Sequence, residues 1–495
     1  MNKLDYRRIL LVHPLGYQAA AAGHDISRMA NIMPPLGLAG IASYLEQEGI
    51  RADIIDCYAR PESDRLIREY LVSHKPAFIG FSCTTSSFLD GVRLAAMARG
   101  IMPGIKTVFG GPHVSALREQ LLTDYPEVDV IVAGEGEETL RELIRSEGGE
   151  LEKIPGIIFR REGEPFFSGY REPQLDLDSL PFPAYEKLAG YPETYTLPIF
   201  NYPRTPNTSC TSSRGCPYAC SYCDRSVFRR TFRYNSAEYL YQHMLHLKQR
   251  FNIKHINFYD DQFTFKRERV EELMTKLIEH PLGMTFNCAV RAEHIDSELL
   301  ALMKKGGCWM ISLGIETGDE NLLARHRQNA DLGMLAEKIR LIKKHGIRTK
   351  GLLMMGLPGE TEESIKKSMD YVFSLPIDDF NLAKFTPFPG SPLYNKIHEL
   401  GEFTEDWQGM DCMSFLFIPE GLSRERLDEL FIDFYRKHFK RPRVLLGYAA
   451  MLYHSPDSWR RFLKNGLDFL KFARSNRRLG SRAPELNSEP GRDKP

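Results

Sequence analysis

Residues 214–224 read Arg-Gly-Cys-Pro-Tyr-Ala-Cys-Ser-Tyr-Cys-Asp and place Cys216, Cys220 and Cys223 in one short segment. Thiolates at this C-x3-C-x2-C spacing can hold three irons of a four-iron, four-sulfur (4Fe-4S) cluster. Such a cluster usually has four cysteine ligands, so a loop with three leaves one iron open to a ligand that is not protein. The sequence therefore predicts a metal site with a reactive open iron. Cys210, six residues before Cys216, is the alternative fourth ligand, which would close the cluster and make it an electron carrier.

The composition limits the kind of protein that carries this segment. The chain has 495 residues, 42% of them hydrophobic, which is enough for two or three domains. Its formal net charge of zero argues against a nucleic-acid partner. No apolar run is long enough to span a bilayer, and the first residues lack the apolar stretch of a signal peptide. Nine cysteines, three of them clustered, fit metal binding in a reducing compartment, so we expect a cytoplasmic protein.

Short apolar runs alternate with amphipathic stretches in the first third of the chain. The predicted strands are residues 9–12, 52–55, 77–81, 107–109 and 128–132, and the predicted helices are residues 36–48, 64–74, 88–98, 115–123 and 137–145. Strict alternation implies a parallel sheet wound on both faces. We therefore expect a doubly wound, Rossmann-like (flavodoxin-like) α/β domain over residues 1–148.

Small and polar residues follow four of these strands, and ligands of such sheets bind beyond the carboxyl ends of the strands. Glycine lets the backbone approach a large ligand, and hydroxyl and imidazole groups supply hydrogen bonds. The residues are His13, Ser82, Thr84, Gly110, Gly111, His113, Gly134, Glu135 and Gly136. We predict that they form one binding site.

A second alternation covers residues 207–400, after a proline-rich linker at residues 149–206. The predicted strands are residues 207–212, 255–259, 285–289, 309–313, 349–355 and 379–385, with helices such as 236–249, 267–280, 331–345 and 361–374 between them. Six βα units predict a partial, six-stranded parallel barrel, whose chemistry lies at the carboxyl ends of its strands. The three-cysteine segment follows the first strand, where such a site is expected.

The three-cysteine segment resembles that of the radical S-adenosylmethionine (SAM) superfamily, whose open iron binds SAM and whose reductive cleavage of SAM yields a 5'-deoxyadenosyl radical. The resemblance implies that Cys216, Cys220 and Cys223 are the catalytic cluster ligands. It also implies SAM-binding roles for Tyr222, the aromatic residue just before the third cysteine, and for residues at later strand ends, which are Asp260, Asp261, Arg291, Glu316 and Gly356. A core aromatic for Tyr222 and an exposed acidic turn for Asp260 and Asp261 are the alternatives. Glu360 departs by one residue from the family spacing, so no role is assigned to it.

Three motifs in the first domain resemble the cobalamin-binding domain that precedes the radical SAM domain in one large subgroup. They are Pro-Pro-Leu-Gly-Leu at 34–38, Gly-Gly-Pro-His at 110–113 and Gly-Glu-Gly-Glu at 134–137. The resemblance implies that cobalamin occupies the first binding site. The Asp-x-His-x-x-Gly motif of many other cobalamin proteins is absent, and His13 and His113 are the alternative axial ligands. The other interpretation is that the first domain keeps the Rossmann-like fold, binds no cofactor and only packs against the barrel.

The C-terminal end is strongly basic, because residues 436–478 contain 12 Lys or Arg and 2 acids. Apolar side chains fall on one face of a predicted helix there, among them Trp459, Phe462, Leu463, Leu467 and Leu470. Such a helix can lie on a membrane surface, or it can pack on the barrel. We expect a helical region at residues 401–480 and a disordered tail at residues 481–495.

The resemblances together imply an enzyme whose cofactors are a 4Fe-4S cluster, SAM and cobalamin. The favoured reaction is methylation of an unactivated carbon. One alternative is a cyclase- or oxidase-type reaction without methyl transfer, as in the anaerobic cyclase that builds the fifth ring of chlorophylls. Another is a non-catalytic electron carrier or corrinoid-binding module. The expected partners are a lipid-like or tetrapyrrole substrate and an electron donor such as flavodoxin or ferredoxin. The expected location is the cytoplasm, with peripheral contact at the inner membrane surface through the basic helix.

Overall fold

Seven strands form the first sheet, in the order β2-β1-β3-β4-β5-β6-β7. The computed structural model describes residues 4–16 and 32–464. The strands are β1 (Asp5–His13), β2 (Arg51–Asp56), β3 (Pro76–Ser82), β4 (Lys106–Gly110), β5 (Val130–Val132), β6 (Ile157–Arg161) and β7 (Glu164–Phe167). All pairs through β5 are parallel, whereas β6 and β7 add to the edge in antiparallel fashion.

Helices cover both faces of this sheet. They are α1 (Leu36–Gln47), α2 (Ser63–His74), α3 (Phe88–Ile101), α4 (Pro112–Leu117), α5 (Glu119–Asp124) and α6 (Glu137–Arg145). Strand β1 shows why two layers form: Leu10 and Val12 join the core with α2 and α3, while Ile9 and Leu11 join the core with α1 and α6. Alternate side chains of a strand point to opposite faces, so both faces must be covered. The doubly wound domain is confirmed.

Two details differ from the prediction. The single helix expected at residues 115–123 is two helices, because Arg118 between them has a φ of 54°, outside the helical region. Strands β6 and β7 lie within residues 149–206, where the sequence predicted only a linker. A two-residue turn joins them, and both of its residues, Glu162 and Gly163, have positive φ, as this kind of hairpin requires. Residues 157–167 therefore belong to the first sheet.

The second sheet has six parallel strands and curls into a half barrel. Its strands, in chain order, are β8 (Asn207–Cys210), β11 (His255–Phe258), β12 (Thr285–Val290), β13 (Cys308–Glu316), β14 (Arg348–Met355) and β15 (Asp379–Lys384). Two short strands between β8 and β11, β9 (Ser213–Arg214) and β10 (Arg233–Tyr234), pair only with each other. The spatial order follows the chain order, which confirms the partial barrel.

Helices α7 (Ala237–Phe251), α8 (Arg267–Glu279), α9 (Ser297–Lys305), α10 (Glu320–His326), α11 (Leu332–Lys344) and α12 (Glu362–Ser374) connect these strands. Most begin at a side-chain cap. In five of them the side chain of the capping residue accepts a hydrogen bond from the backbone amide three residues later. These capping residues are Ser236, Asp296, Asp319, Asp331 and Thr361. These caps satisfy amide groups that would otherwise lack a partner. They fix where each helix begins after its loop.

The region after the barrel is not helical throughout. It begins with an antiparallel pair, β16 (Gly401–Phe403) and β17 (Phe417–Pro419), and continues with α13 (Arg424–Phe439) and α14 (Pro442–His454). Residues 456–464 are helical, while the remainder of the predicted basic helix and the predicted tail lie outside the described residues. Within residues 4–16 and 32–464, no helix is both long and apolar enough to cross a membrane.

Candidate active site

The three cysteines lie on a loop that is fixed at its base. The antiparallel pair β9 and β10 joins the two ends of residues 215–232, so the loop leaves and re-enters the fold at one place. Gly215 has a φ of 82°, and a Cβ there would collide with the carbonyl oxygen of Thr231. Glycine is required at this position for both reasons. Cys216, Cys220 and Cys223 are half-buried and form no disulfide.

Burial raises the pKa of two of the three thiols. The pKa of Cys223 rises to about 12, through burial first and then through Asp261 and the other two cysteines. Burial also raises the pKa of Cys216, and Asp261 and Cys220 add to that shift. The structure therefore brings the three sulfur atoms and the Asp261 carboxylate together. The thiols would release protons on binding a metal.

The two neighbouring aspartates have different surroundings. Asp260 is buried, and its carboxylate accepts hydrogen bonds from the backbone amides of Ser212 and Ser213, at 2.6 and 3.2 Å, and from the Ser212 hydroxyl. Arg269 donates to the carbonyl of Ser212 at 2.9 Å. Asp260 therefore fixes the backbone at the start of the cysteine loop. Asp261 has no hydrogen-bond partner among residues 4–16 and 32–464 and lies beside the thiols.

Arg291 supports the cysteine loop from the next strand. Its guanidinium lies 3.8 Å from the ring centre of Tyr218, a residue between the first two cysteines. It donates to Glu293 at 2.5 Å and to the carbonyl of Gln328 at 2.6 Å. The Tyr218 hydroxyl bonds to His294 at 2.7 Å. Sequence reasoning did not single out Tyr218 or His294, because an aromatic inside a cysteine motif carries no signal for its partner.

Glu316 and Tyr222 meet on the other side of the loop. The φ of Glu316 is 64°, and its carboxylate lies 3.8 Å from the guanidinium of Arg327. Burial raises the pKa of Glu316, and Arg327 and Tyr222 oppose that shift. The Tyr222 ring packs against an apolar cluster that includes Leu357 and Phe385. Arg327 was missed in the sequence, since it follows a helix that the strand pattern alone did not place at the barrel mouth.

The end of α10 holds the cysteine loop in position. The imidazole of His326 lies 2.8 Å from the Ser221 hydroxyl and, on its other nitrogen, 2.8 Å from the carbonyl of Pro358. Because a carbonyl can only accept, the second nitrogen carries the proton and the first accepts from Ser221. The backbone amide of Ser221 also donates to the His326 carbonyl at 3.0 Å. This contact joins the loop to the turn after β14.

Gly356 lies in that turn, with a φ of 91°. Its amide and that of Leu357 donate to the buried carboxyl of Glu360. Burial raises the pKa of Glu360 to about 8. Glu360 therefore stabilises the turn from inside the protein.

Cys210 does not lie with the other three cysteines. Its side chain is buried in the core beside α7, with its sulfur 3.4 Å from the imidazole of His243. Burial raises its pKa well above the usual thiol value. The placement gives no support to a fourth cluster ligand.

The cysteine loop contacts the carboxyl edge of the first sheet directly. Arg214 pairs with both Glu135 and Glu137, the latter at 2.6 Å, and Arg233 pairs with Glu135 at 2.7 Å. The Ser226 hydroxyl donates to the carbonyl of Pro112 at 3.0 Å. We call this contact the domain junction, and it is made by Pro112, Glu135, Glu137, Arg214, Ser226 and Arg233. Burial alone would raise the pKa of Glu137, but Arg214 outweighs it and the pKa lies below its usual value.

The predicted cobalamin residues lie at that same edge, with different exposures. Ser82, Thr84 and Gly110 reach open space or solvent, and His13 bonds to Asp56 at 3.0 Å while remaining partly exposed. Gly111 and Gly136 are explained by packing, because a Cβ at Gly111 would overlap the Cys83 backbone and one at Gly136 would press on Ile41. Glu135 is engaged in the domain junction.

His113 is enclosed. It is 1% exposed, and its ring lies 4.6 Å from both Phe88 and Trp407. Neither ring nitrogen has a hydrogen-bond partner in the part of the chain that the structure describes, and burial lowers its pKa to about 3. The placement does not support His113 as an axial ligand. Gly134 has a φ of 98° and lines a cavity of about 670 Å³ at the domain junction, together with Glu135, Tyr170 and Arg229.

Two family models match the chain. The model described as B12 binding domain matches residues 25–144, and the model described as Radical SAM superfamily matches residues 210–372. These ranges contain most of the parallel part of the first sheet and most of the half barrel with its cysteine loop. The chain therefore contains a B12-binding domain followed by a radical SAM domain.

Relatives of this radical SAM enzyme match it over most of their own length. An uncharacterized methyltransferase of Pyrococcus horikoshii is 28% identical over 83% of this chain and 89% of its own. An anaerobic magnesium-protoporphyrin IX monomethyl ester cyclase of Rubrivivax gelatinosus is 27% identical over 87% of this chain and 77% of its own. The structure of the radical SAM methyltransferase TsrM from Kitasatospora setae has the same fold, with a TM-score of 0.64, 19% identity and coverage of 79% and 75%.

The cofactors of this radical SAM enzyme are a 4Fe-4S cluster, SAM and cobalamin. The donor set at the loop fits the cluster: three half-buried thiols that form no disulfide lie near one another and near the Asp261 carboxylate, which has no hydrogen-bond partner among the described residues. Among residues 4–16 and 32–464, no three His, Cys, Asp or Glu side chains surround a single metal-ion position. A cluster does not need such a position, because each cysteine binds a different iron.

Proposed function

We propose that this enzyme methylates an unactivated carbon of a small-molecule substrate. The observation that carries the proposal is the domain junction, which holds the cysteine loop against the carboxyl edge of the cobalamin-binding domain. Two cofactors that must act on one carbon need neighbouring sites. An emptied scaffold that only packed against the barrel would not require its ligand-binding edge to face the loop.

The bound groups supply the radical that removes a hydrogen atom from the substrate carbon and the methyl group that replaces it. The residues of this chain bind and orient them. We propose that Cys216, Cys220 and Cys223 hold the cluster and that Asp261 accepts from the ammonium group of SAM, because its carboxylate is free and lies beside the thiols. Glu316 is proposed to bind the ribose hydroxyls or the ammonium group.

The other residues predicted to bind SAM are proposed to shape its site or to contact its adenine. Asp260 is occupied by bonds to Ser212 and Ser213, and Arg291 by bonds to Glu293 and Gln328, so we propose that both shape the site and do not bind SAM through free groups. Tyr222 and Gly356 line the same side of the loop as Leu357, and we propose that they contact the adenine.

The substrate is proposed to be tetrapyrrole-like or lipid-like. The named activity of the Rubrivivax relative supports the first class. The electron is proposed to come from a flavodoxin or ferredoxin, because the loop lies near the surface and the chain shows no second cluster-forming cysteine group within its described residues. Three unpaired thiols of this kind suit the reducing cytoplasm, where we expect the enzyme to work.

The runner-up is a cyclase- or oxidase-type reaction with the same cofactors and no methyl transfer, which the Rubrivivax relative favours. A non-catalytic electron carrier would need a closed cluster, and the placement of Cys210 in the core speaks against it.

Product analysis distinguishes these reactions. Anaerobic holoenzyme with a chemical reductant and SAM labelled on its methyl group is expected to release both 5'-deoxyadenosine and S-adenosylhomocysteine when its substrate is present, with label in the product. Release of 5'-deoxyadenosine without S-adenosylhomocysteine would establish the runner-up instead. The Cys220→Ala variant is the control and should form neither 5'-deoxyadenosine nor labelled product.

A further inference from the structure

Helix α14 presents an apolar face to solvent. No charged residue occurs from residue 444 to residue 453, and Val444 and Met451 already fill the buried side. The outward side chains, with their exposed fractions, are Leu445 at 55%, Leu446 at 71%, Leu452 at 53% and Tyr453 at 89%. Ala449 and Ala450 between them are also exposed. Single exposed leucines are ordinary, but a continuous apolar face on one helix marks an interaction surface.

Basic side chains surround this face. Residues 436–464 contain eight Lys or Arg and one acid. Two of the cations are neutralised, since Lys437 pairs with Asp433 and Arg460 with Asp457. Exposed Lys440, Arg443 and Lys464 have no carboxylate partner in the part of the chain that the structure describes. We call α14 together with Lys440 and Arg443 the α14 surface.

The α14 surface lies at the end of the barrel opposite the cysteine loop. The Tyr448 hydroxyl donates at 3.2 Å to Asp379, the first residue of β15. Arg441 donates at 2.7 Å to the carbonyl of Phe373, just before that strand, and Ser455 donates at 2.5 Å to the carbonyl of Tyr202, before β8. These partners all precede barrel strands, whereas the cysteine loop follows one.

Trp459 and Phe462 belong to the apolar stripe for which the sequence left membrane contact and packing on the barrel open, and both rings contact the protein, although Phe462 remains 37% exposed. The Trp459 ring lies 5.4 Å from Phe200 and its indole N–H donates to the carbonyl of Tyr448 at 3.1 Å. Phe462 lies 6.0 Å from Phe200. These rings attach the last described helical segment to α14. On α14 the exposed apolar groups are Leu445, Leu446, Leu452 and Tyr453, and Leu463 on the neighbouring helical segment is also 70% exposed.

We propose that the α14 surface docks the enzyme on an anionic lipid bilayer. Such a bilayer supplies apolar depth for the leucines and negative charge for Lys440 and Arg443. A second copy of the chain would bring the same positive surface against this one. Residues 465–480 are also positively charged, with four Lys or Arg and one acid, so electrostatic repulsion disfavours their binding to the α14 surface.

Docking in this way directs the cysteine loop away from the lipid and toward the solvent. An electron donor would then reach the barrel mouth from the aqueous side. The inference does not rest on methyl transfer, since binding to vesicles is measured without turnover. It differs from the sequence expectation in the helix that makes the contact.

Flotation of the full-length holoenzyme with vesicles tests the proposal. Binding is expected to phosphatidylglycerol-containing vesicles, and about tenfold less to pure phosphatidylcholine, because the cations contribute. The double variant Leu446→Glu/Tyr453→Glu is expected to lower binding to anionic vesicles by about tenfold or more, since it removes apolar contact and adds negative charge. Lys440→Gln/Arg443→Gln should lower it and reduce its salt dependence.

The matched control is Leu175→Glu, which changes a leucine 77% exposed elsewhere on the protein and should leave binding unchanged. Equal melting temperatures and cluster absorbance show that the variants are folded. The proposal is overturned if the wild type does not float with anionic vesicles, or if the α14 variants float as well as the control. It is also overturned if light scattering shows a dimer that Leu446→Glu/Tyr453→Glu converts to a monomer, because the face would then bind a second copy.

Discussion

Glu360 shows how one residue can be prominent in the sequence and have a role that only its surroundings reveal. Its distance from Gly356 departs from the family spacing, and sequence reasoning assigned it no role. In the structure it is a buried carboxyl that accepts from the amides of Gly356 and Leu357. A carboxyl in this position is more stable protonated than ionised, because burial penalises the charge.

The pH dependence of stability tests this role. The pKa of Glu360 is raised from 4.5 to about 8, so the folded protein holds a proton that the unfolded chain releases above 4.5. This contribution is fully present below pH 4.5 and is lost as the pH rises to about 8, by about 1.4 kcal/mol per pH unit. Glu360→Gln keeps the acceptor and removes the titration. We expect its melting temperature, relative to wild type, to rise between pH 6 and pH 8.5.

The control for that series is Asp176→Asn, which changes an exposed carboxylate on a surface turn and should follow the wild type at every pH. Parallel melting curves for Glu360→Gln and wild type would show that the Glu360 carboxyl is ionised in the folded protein.

Cys210 is the second residue whose role depends on placement. Because its sulfur lies in the core against His243, we expect Cys210→Ala to keep its cluster iron and its rate of SAM cleavage. The cavity left by one sulfur atom should lower stability by about 1 kcal/mol. Iron analysis, cluster absorbance and the rate of SAM cleavage measure the outcome. Cys216→Ala is the comparison, because it should lose both the cluster iron and SAM cleavage. Loss of iron from Cys210→Ala would restore the closed-cluster alternative.

At the scale of elements, the cysteine loop depends on supports from neighbouring strands and helices. The pair β9 and β10 closes its base, α10 holds its middle through His326, and the segment after β5 holds its start through Arg214. Each support comes from a different part of the chain. The spacing of cysteines therefore predicts the ligands, whereas their arrangement depends on contacts between distant residues.

The domain junction can be tested through Arg214. Arg214→Gln leaves Glu135 and Glu137 with one cation, Arg233, and removes the ion pair that offsets the burial of Glu137. Breaking a buried pair in this way should lower the free energy of unfolding by about 3 kcal/mol. Denaturant unfolding of the anaerobic protein measures it, and cobalamin retention on gel filtration should fall because the junction borders that site.

Arg267→Gln is the matched control, since Arg267 pairs with Glu271 and Asp296 on an exposed surface. Its effect should stay below about 1 kcal/mol. If Arg214→Gln and Arg267→Gln lower the free energy of unfolding by the same small amount, the domain junction contributes no more to stability than surface ion pairs do.

At the scale of the whole molecule, the region after the barrel reaches both other domains. Helix α13 joins the barrel core through Leu427, Leu430 and Phe434. Trp407 instead lies on the first domain, with ring contacts to Phe88, His113 and Tyr125 at 5.7, 4.6 and 6.3 Å. The C-terminal region thus fastens the two domains together at a second place.

Trp407→Ala should loosen that second contact. We expect faster amide hydrogen exchange in residues 112–125, because the aromatic cover of α4 and α5 is lost, and a stability loss of about 3 kcal/mol or less, since the ring is half-buried. Trp459→Ala is the control, because that ring packs on Phe200 at the other end of the barrel. Unchanged exchange in residues 112–125 of Trp407→Ala would mean that the contact does not hold the domains.

Local patterns were enough for much of the fold. Alternation of apolar runs and amphipathic stretches predicted all five parallel strands of the first sheet and all six of the half barrel, because burial on both faces leaves a signature in each strand. The hairpin of β6 and β7 was missed because it is short and lies among turn-forming residues. Its Glu162-Gly163 turn was the signal that could have revealed it.

The sequence by itself predicted the two domains, the three cysteines proposed to hold the cluster and the carboxyl edges proposed to bind the cofactors, since each depends on spacing or periodicity within a short segment. The tertiary structure decided that Asp260 and not Asp261 is hydrogen-bonded among the described residues, why Cys210 is excluded, how Glu135 joins the domains, and that α14 presents exposed apolar side chains while the Trp459 ring packs on Phe200. These properties depend on distances between residues far apart in the chain, and burial and charge pairing arise only once those residues are folded together.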